Sequence, residues 1–346
     1  MNLRVGLTRD DRFLEHKTGT DHPEHPRRLA EIYRMVDREF KDRVMIIRPE
    51  PATVEQVEMV HTAGHVRRIL KTAEHRITSM APDTQVSARS YMAAWLAVGA
   101  CLQGIDLLME KTVDSFFALV RPPGHHALSN KAGGFCIFNN IAIAARYAMK
   151  TYDLNRIVVI DWDIHHGNGI NDLFYDQNNV YYFSTHDTEL YPYSGFVEET
   201  GTGPGLGYTM NIPLDRELAD SDMIHIYQNT LLPVLAGYTP QLIMVAAGFD
   251  AHSSDPIGKS AFTEHVYGRI TQMIIDFYIR AGKPLPPFFF ALEGGYDPRS
   301  LKQSVHSVLT ALTENDTSAS YLEPISESAL AIINTVATTH KPYGII

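Results

Sequence analysis

The chain has 346 residues, 45% hydrophobic and 20% charged, with 40 acidic against 30 basic side chains for a net charge of −10. That balance gives a globular protein with a sizeable core and excludes disordered and fibrous classes. The acidic excess also argues against a surface built to coat phosphate backbones, so no direct nucleic-acid partner is expected, and a cationic or neutral substrate suits the chain better.

Short β-rich runs alternate with helical stretches along the chain. The runs are Leu3 to Leu7, Ser115 to Val120, Ile157 to Asp161, Val180 to Ser184, Leu242 to Ala246 and Phe288 to Leu292. Between them, Ile141 to Lys150, Asp220 to Leu235 and Thr263 to Arg280 carry apolar residues at helical spacing. This is the alternation of an α/β protein, a mostly parallel sheet covered by helices on both faces. No repeat, low-complexity tract or long charge run marks a hinge, so a single domain over residues 1–346 is expected. Apolar runs such as Leu285 to Leu292 fall short of the ~20 residues of a membrane span. Met1 to Leu7 leads directly into Arg9, Asp10 and Asp11 instead of a signal-peptide core. The expected location is the cytoplasm, with no membrane partner. Cys101 and Cys136, the two cysteines, are too few for a disulfide framework or a cysteine-rich zinc module.

In a sheet of this kind ligands bind beyond the carboxyl ends of the strands, and the chemically distinctive residues gather there. Arg121-Pro-Pro-Gly-His-His126 follows one run, Asp161-Trp-Asp-Ile-His-His-Gly167 another, Gly248-Phe-Asp250 a third and Glu293-Gly-Gly-Tyr296 a fourth. Asp163 and His165, two apart, leave one face of the chain and converge. A mixed carboxylate and imidazole set suits zinc, iron or cobalt better than calcium or magnesium. Asp250 supplies a third ligand and leaves positions open for water and substrate. Alone, His125 and His126 read as loop histidines or as an acid–base pair. Asp161 reads as a strand-end carboxylate or as the orienter of a histidine. Tyr296 reads as core or as an oxyanion donor aimed by two glycines. Sixteen histidines are present, an excess that position narrows to His125, His126 and His165.

Together these segments, with Gly134-Phe-Cys-Ile-Phe-Asn-Asn140, Asn168-Gly169, Gly248-Phe-Asp-Ala-His252 and His22-Pro-Glu-His-Pro-Arg-Arg-Leu29, resemble the zinc-dependent histone deacetylase superfamily in order and spacing from residue 22 to about residue 312. The pattern is most similar to its class II-like group and bacterial relatives, which include acetylpolyamine amidohydrolases. The resemblance implies a single-domain arginase-like α/β fold with an eight-stranded parallel sheet, and one zinc ion on Asp163, His165 and Asp250. It implies His126 as general base and then acid, steadied by Asn168, and His125 as its electrostatic partner held by Asp161. Tyr296 would donate a hydrogen bond to the acetyl carbonyl. Gly134 and Phe135 would form one wall of a narrow channel and Tyr191 the other, with Arg28 behind the metal. A structural potassium would use backbone carbonyls of Asp161, Asp163 and His165 with the Ser184 hydroxyl.

Departures from the family pattern sharpen the expectation. Asn168 stands where many class I members carry aspartate, and a neutral partner keeps the pKa of His126 lower. Tyr296 stands where the weakly active vertebrate class IIa enzymes have histidine, so deacetylation is expected. Ile257 replaces the glutamate of the polyamine-selective class IIb enzyme, which favours acetyl-lysine substrates. Glu198-Glu199-Thr200-Gly201 resembles a stretch of bacterial polyamine enzymes and keeps acetylpolyamines as the alternative. Gly167 and His252 occupy positions where binuclear manganese ureohydrolases carry aspartates, which favours one metal. A non-catalytic acetyl-lysine binder would have lost a ligand, His126 or Tyr296, and all are present. The oligomeric state is open, a homo-oligomer included.

Overall fold

The computed structural model describes residues 3–74, 77–314 and 324–344. Its first elements are β1 (Val5–Thr8), α1 (Arg27–Glu39), β2 (Met45–Ile47), α2 (Val54–Val57), α3 (Ala63–Leu70), β3 (Ser79–Ala81), β4 (Thr84–Gln85), α4 (Ser90–Met109) and β5 (Ser115–Ala118). There follow α5 (Asn140–Tyr152), β6 (Ile157–Asp161), α6 (Asn168–Phe174), β7 (Val180–His186), β8 (Thr209–Pro213) and α7 (Asp220–Tyr238). The last are β9 (Leu242–Ala247), α8 (His265–Arg280), β10 (Phe288–Leu292), α9 (Pro298–Thr313) and α10 (Glu327–His340).

Eight strands form one parallel sheet in the order β2-β1-β5-β10-β9-β6-β7-β8, while β3 and β4 make a separate antiparallel pair. All residues of β5, β6, β9 and β10 are buried, as expected of β-branched and aromatic runs covered on both faces. Phe290 sits in register with Phe117 and Val245, and its ring lies 5.4 Å from that of Phe117. Helices α4, α5 and α6 pack together in one layer; α1, α9, α8, α7 and α10 follow one another in a second.

Three features differ from the sequence expectation. The strands β2 and β8 were not expected: they occupy the two sheet edges, where β2 is partly exposed and β8 ends at Pro213, so neither carries the buried apolar signature. The strand expected at Leu3 starts at Val5, and that expected through Val120 ends at Ala118. Helix α4 is long and apolar enough to cross a membrane by length and composition, contrary to the reading that no segment qualifies. Here most of α4 is buried against α5, β5 and β10, and Gly99 lets it approach the backbone of Glu50, where a Cβ would meet the carbonyl oxygen at 1.9 Å.

The loop between β5 and α5, which carries His125, His126, Gly134 and Phe135, is clamped by two buried histidines near α3. His61 accepts the Asn139 N–H at Nε2 (2.9 Å), which places its proton on Nδ1, donated to the Leu128 carbonyl (3.1 Å). His65 Nε2 bonds the Ile137 carbonyl (2.9 Å), and both rings pack on Phe138. Burial pushes His61 down to about 3. Its folded value lies below its unfolded one, so the unfolded chain binds the extra proton between about pH 6.5 and 3, and stability falls as pH falls through that window. His61→Asn, which cannot titrate, should flatten that decline by up to about 1.4 kcal/mol per pH unit, measured by denaturant titration of both proteins across the window.

Candidate metal and acid–base site

The chain runs from β5 at one side of the sheet to β6 three positions away, and the later strands β9 and β10 fill the gap. The carboxyl ends of β5, β10, β9 and β6 therefore adjoin, and each delivers part of one buried cluster. From β6 come Asp161, Asp163 and His165, with a turn fixed by the His165 N–H donating to Asp163 Oδ1 (2.9 Å). Asp250 leaves β9 and accepts the Ile164 N–H (3.0 Å). Asp163 Oδ1 and Asp250 Oδ2 both lie 3.0 Å from His165 Nδ1, and ligand atoms of the three residues fall within 4.8 Å of one another.

Two buried carboxylates facing one nitrogen call for positive charge between them. Burial, reinforced by the charge of Asp163, pushes Asp250 up. Burial also opposes a charged His165, yet the two carboxylates hold it well above the ordinary range, as its proton is the local positive charge. A divalent cation fits the same three donors, and the surroundings leave room for it. A Cβ on Gly294 would stand 2.2 Å from Asp250 Oδ2 and 2.5 Å from Asp163 Oδ2, while the Gly294 N–H itself donates to Asp163 Oδ2 (2.9 Å). Among the described residues a second trio, His125, Cys136 and Glu293, is also close enough to ligate. It is the poorer set, because burial pushes the Cys136 thiol up and keeps it protonated.

His125 and His126 lie beside this cluster with ring centroids 4.0 Å apart and opposite electrostatics. His125 donates Nδ1–H to Asp161 Oδ2 (3.1 Å), which also accepts the Tyr182 hydroxyl (3.1 Å). Burial works against its charge, but Asp163 and Asp161 prevail and raise it to about 10. Burial, then the charges of His125 and His165, push His126 well down. His126 Nδ1 lies 2.8 Å from Asn168 Oδ1, an acceptor, so the proton sits on Nδ1 and Nε2 keeps a free lone pair.

Of the expected channel residues, Gly134 and Tyr191 flank His126, while Phe135 and Arg28 meet Tyr296. Gly134 has φ +55° and a Cβ there would strike His126 at 2.3 Å. The Tyr191 ring is 4.9 Å from His126 on the outer side and 39% exposed. Phe135 meets the Tyr296 ring edge-on at 5.5 Å. Half-buried Ile257 lies on the loop after Asp250. Arg28 is buried under the Tyr296 ring, 4.9 Å from its centroid, and donates to the carbonyls of Gly295 and Glu293. Ser184 pairs in register with Asp161, and its hydroxyl contacts His186 Nδ1 (2.8 Å).

Several supporting residues had no role assigned from the sequence. Glu293 Oε2 accepts the N–H groups of Gly124 (2.6 Å) and His125 (3.1 Å), tying the histidine loop to the end of β10. Asp83 and Thr84, at the β3–β4 turn, accept the N–H groups of Gly134 and Phe135 at 3.1 Å each. Glu24 bridges Arg28 (2.9 Å) and Arg121 (2.6 Å) in a fully buried network. Their only signal was a polar or charged residue inside or directly after an apolar run or a Pro-rich motif; apart from Arg28, four residues from Glu24, the partners lie 51 or more residues away.

Residues 22–312 match the histone deacetylase domain family, and the chain belongs to that family. It is 34% identical to histone deacetylase clr3 of Schizosaccharomyces pombe, over 98% of this chain and 52% of that protein. It is likewise 34% identical to the polyamine deacetylase HDAC10 of Danio rerio, over 92% of this chain and 49% of that one. The chain thus spans about half the length of these relatives. The crystal structure of the HDA15 HD domain superposes with a TM-score of 0.90 at 32% identity, covering 98% of this chain and 95% of that one. The eight-stranded parallel sheet expected from the sequence is the fold the two share.

The crowding at Gly294 gives a direct check of the metal site. Gly294→Ala should weaken binding of an added divalent metal by at least about tenfold with the far-UV spectrum retained, read by metal analysis after dialysis against a competing chelator. Full retention of metal would remove the site from Asp163, His165 and Asp250.

Proposed function

We propose that the chain is a zinc-dependent amidohydrolase that removes acetyl groups from acetyl-lysine-type substrates. The observation that carries this reading is the free Nε2 of a neutral His126 beside a buried set of two carboxylates and one imidazole suited to a metal. Asp163, His165 and Asp250 would hold the zinc. When bound, the ion supplies Lewis-acid activation of water and of the acyl carbonyl.

The remaining chemistry belongs to the side chains. His126 takes a proton from the attacking water at Nε2; Asn168 keeps the ring in the tautomer that permits this. His125, held cationic by Asp161, adds positive potential on the side where negative charge develops and discourages a second proton on His126. The Tyr296 phenol, raised well above its ordinary range by burial, keeps its proton and donates a hydrogen bond to the acyl oxygen as that oxygen gains charge. His126 then returns its proton to the departing nitrogen as the C–N bond breaks, and the second water proton passes to the amine, which leaves acetate and an ammonium group. A structural potassium on the carbonyls of Asp161, Asp163 and His165 with the Ser184 hydroxyl is part of the same proposal. It is supported by the placement of Ser184 opposite Asp161.

Apolar Ile257 on the loop beyond Asp250 favours acetyl-lysine over a polyamine, whose second ammonium would gain nothing from it. Zinc-loaded protein should hydrolyse acetyl-lysine peptides with a higher kcat/KM than N-acetylputrescine or N-acetylspermidine, followed by amine release; the reverse order assigns it to polyamines, and no turnover of either refutes the enzyme reading. Tyr296→Phe should lower kcat by about 10²- to 10³-fold with little change in KM. Undiminished kcat in that variant would remove the tyrosine from the chemistry.

A further inference from the structure

We propose that Asp255 is a positioning residue for Tyr296, and that its carboxylate couples the loop bearing Ile257 to the phenol facing the acyl oxygen. This rests on the role given to Tyr296 above. Asp255 is 6% exposed, and its described partners are backbone N–H groups. Oδ1 accepts from Ile257 (2.9 Å) and Gly258 (3.2 Å), and Oδ2 accepts from Tyr296 (2.6 Å). One side chain therefore joins two segments that leave different strands, β9 and β10.

The tyrosine needs such a tether. Its ring is confined laterally by Phe135 and Arg28, but two glycines precede it, and Gly295 has φ +111°. The Gly294 N–H is held by Asp163 and the Gly295 carbonyl by Arg28, which leaves the Tyr296 N–H as the next backbone group whose anchoring sets how far the phenol reaches toward Asp163 and Asp250. Asp255 supplies the missing reference. Gly258, on the same carboxylate, is pressed against Asp250, where a Cβ would lie 1.7 Å from the Asp250 carbonyl oxygen. Tyr296 is thereby registered against the residue expected to hold the metal. A carboxylate receiving the N–H groups of Ile257, Gly258, Tyr296 and Asp297 also serves this task better than an amide, which would turn a donor toward at least one of them.

The test is a double-mutant cycle on zinc-loaded protein. Asp255→Asn preserves volume and should lower kcat by about 10- to 100-fold, with KM within about twofold and bound zinc unchanged. In the Tyr296→Phe background the same substitution should cost less than about twofold, because the hydroxyl it positions is gone. An equal loss in both backgrounds, or loss of zinc, overturns the proposal and makes Asp255 a support for the metal loop. If Asp255→Asn fails to fold, Asp255→Ser is read in the same two backgrounds; failure of both to fold overturns the proposal in favour of a scaffold role. Tyr296→Phe with undiminished kcat is a separate result, which refutes the reading of Tyr296 itself.

Discussion

Asp163 and Asp250 reach one imidazole nitrogen from two different strands, at 3.0 Å each, in a place closed to solvent. Much of the surrounding architecture answers the electrostatic problem this creates. Isolated carboxylates are costly to bury. Here each is met by a backbone N–H, from Gly294 for Asp163 and from Ile164 for Asp250. Those donors are fixed dipoles that do not titrate. The glycine at 294 serves twice, as a donor and as an absence of bulk.

The same economy of charge separates two neighbouring histidines that differ little in sequence. His125 faces Asp161 and carries charge; His126 faces the neutral Asn168 and does not. Substituting a carboxylate for Asn168 would draw a second proton onto His126 and bring the two rings closer in character. A single amide oxygen thus keeps the electrostatics of the two rings apart. Glu293 and the β3–β4 turn hold the loop carrying both rings from below and from the outside through backbone donors. Geometry is thereby set by groups other than the reactive ones.

The central strands and the chemically rare residues at their ends were legible in the sequence for a single reason: each is a local pattern. Ile157 to Asp161 announces a buried strand by composition, and Asp163 with His165 announces convergence by spacing. What was not legible is relational. Asp255 meets Tyr296 across 41 residues and Glu293 meets Gly124 across 169; nothing near Asp255 distinguishes it from a surface acid, and Glu293's place after a buried strand does not name its partners. The edge strands β2 and β8 escaped because partial exposure or a terminal proline dilutes the pattern that marked the core. Helix α4 shows the converse: a helix apolar on all sides reads alike whether lipid or protein surrounds it, and only its packing decides.

The order of strands carries a consequence for how the molecule comes into being. The two strands at the heart of the sheet, β9 and β10, are among the last made, and they enter between β5 and β6, synthesised more than eighty residues earlier. Until then one edge of β5 and one edge of β6 lack the neighbours they pair with in the finished sheet, an aggregation-prone interval on a ribosome that adds some 5–20 residues per second. Closure of the sheet and completion of the site are then one event, since the insertion that seals the core also delivers Asp250 and Tyr296. No half-built form of this chain brings Asp163, His165 and Asp250 together, since Asp250 leaves a strand that pairs with β6 only when the central sheet is complete.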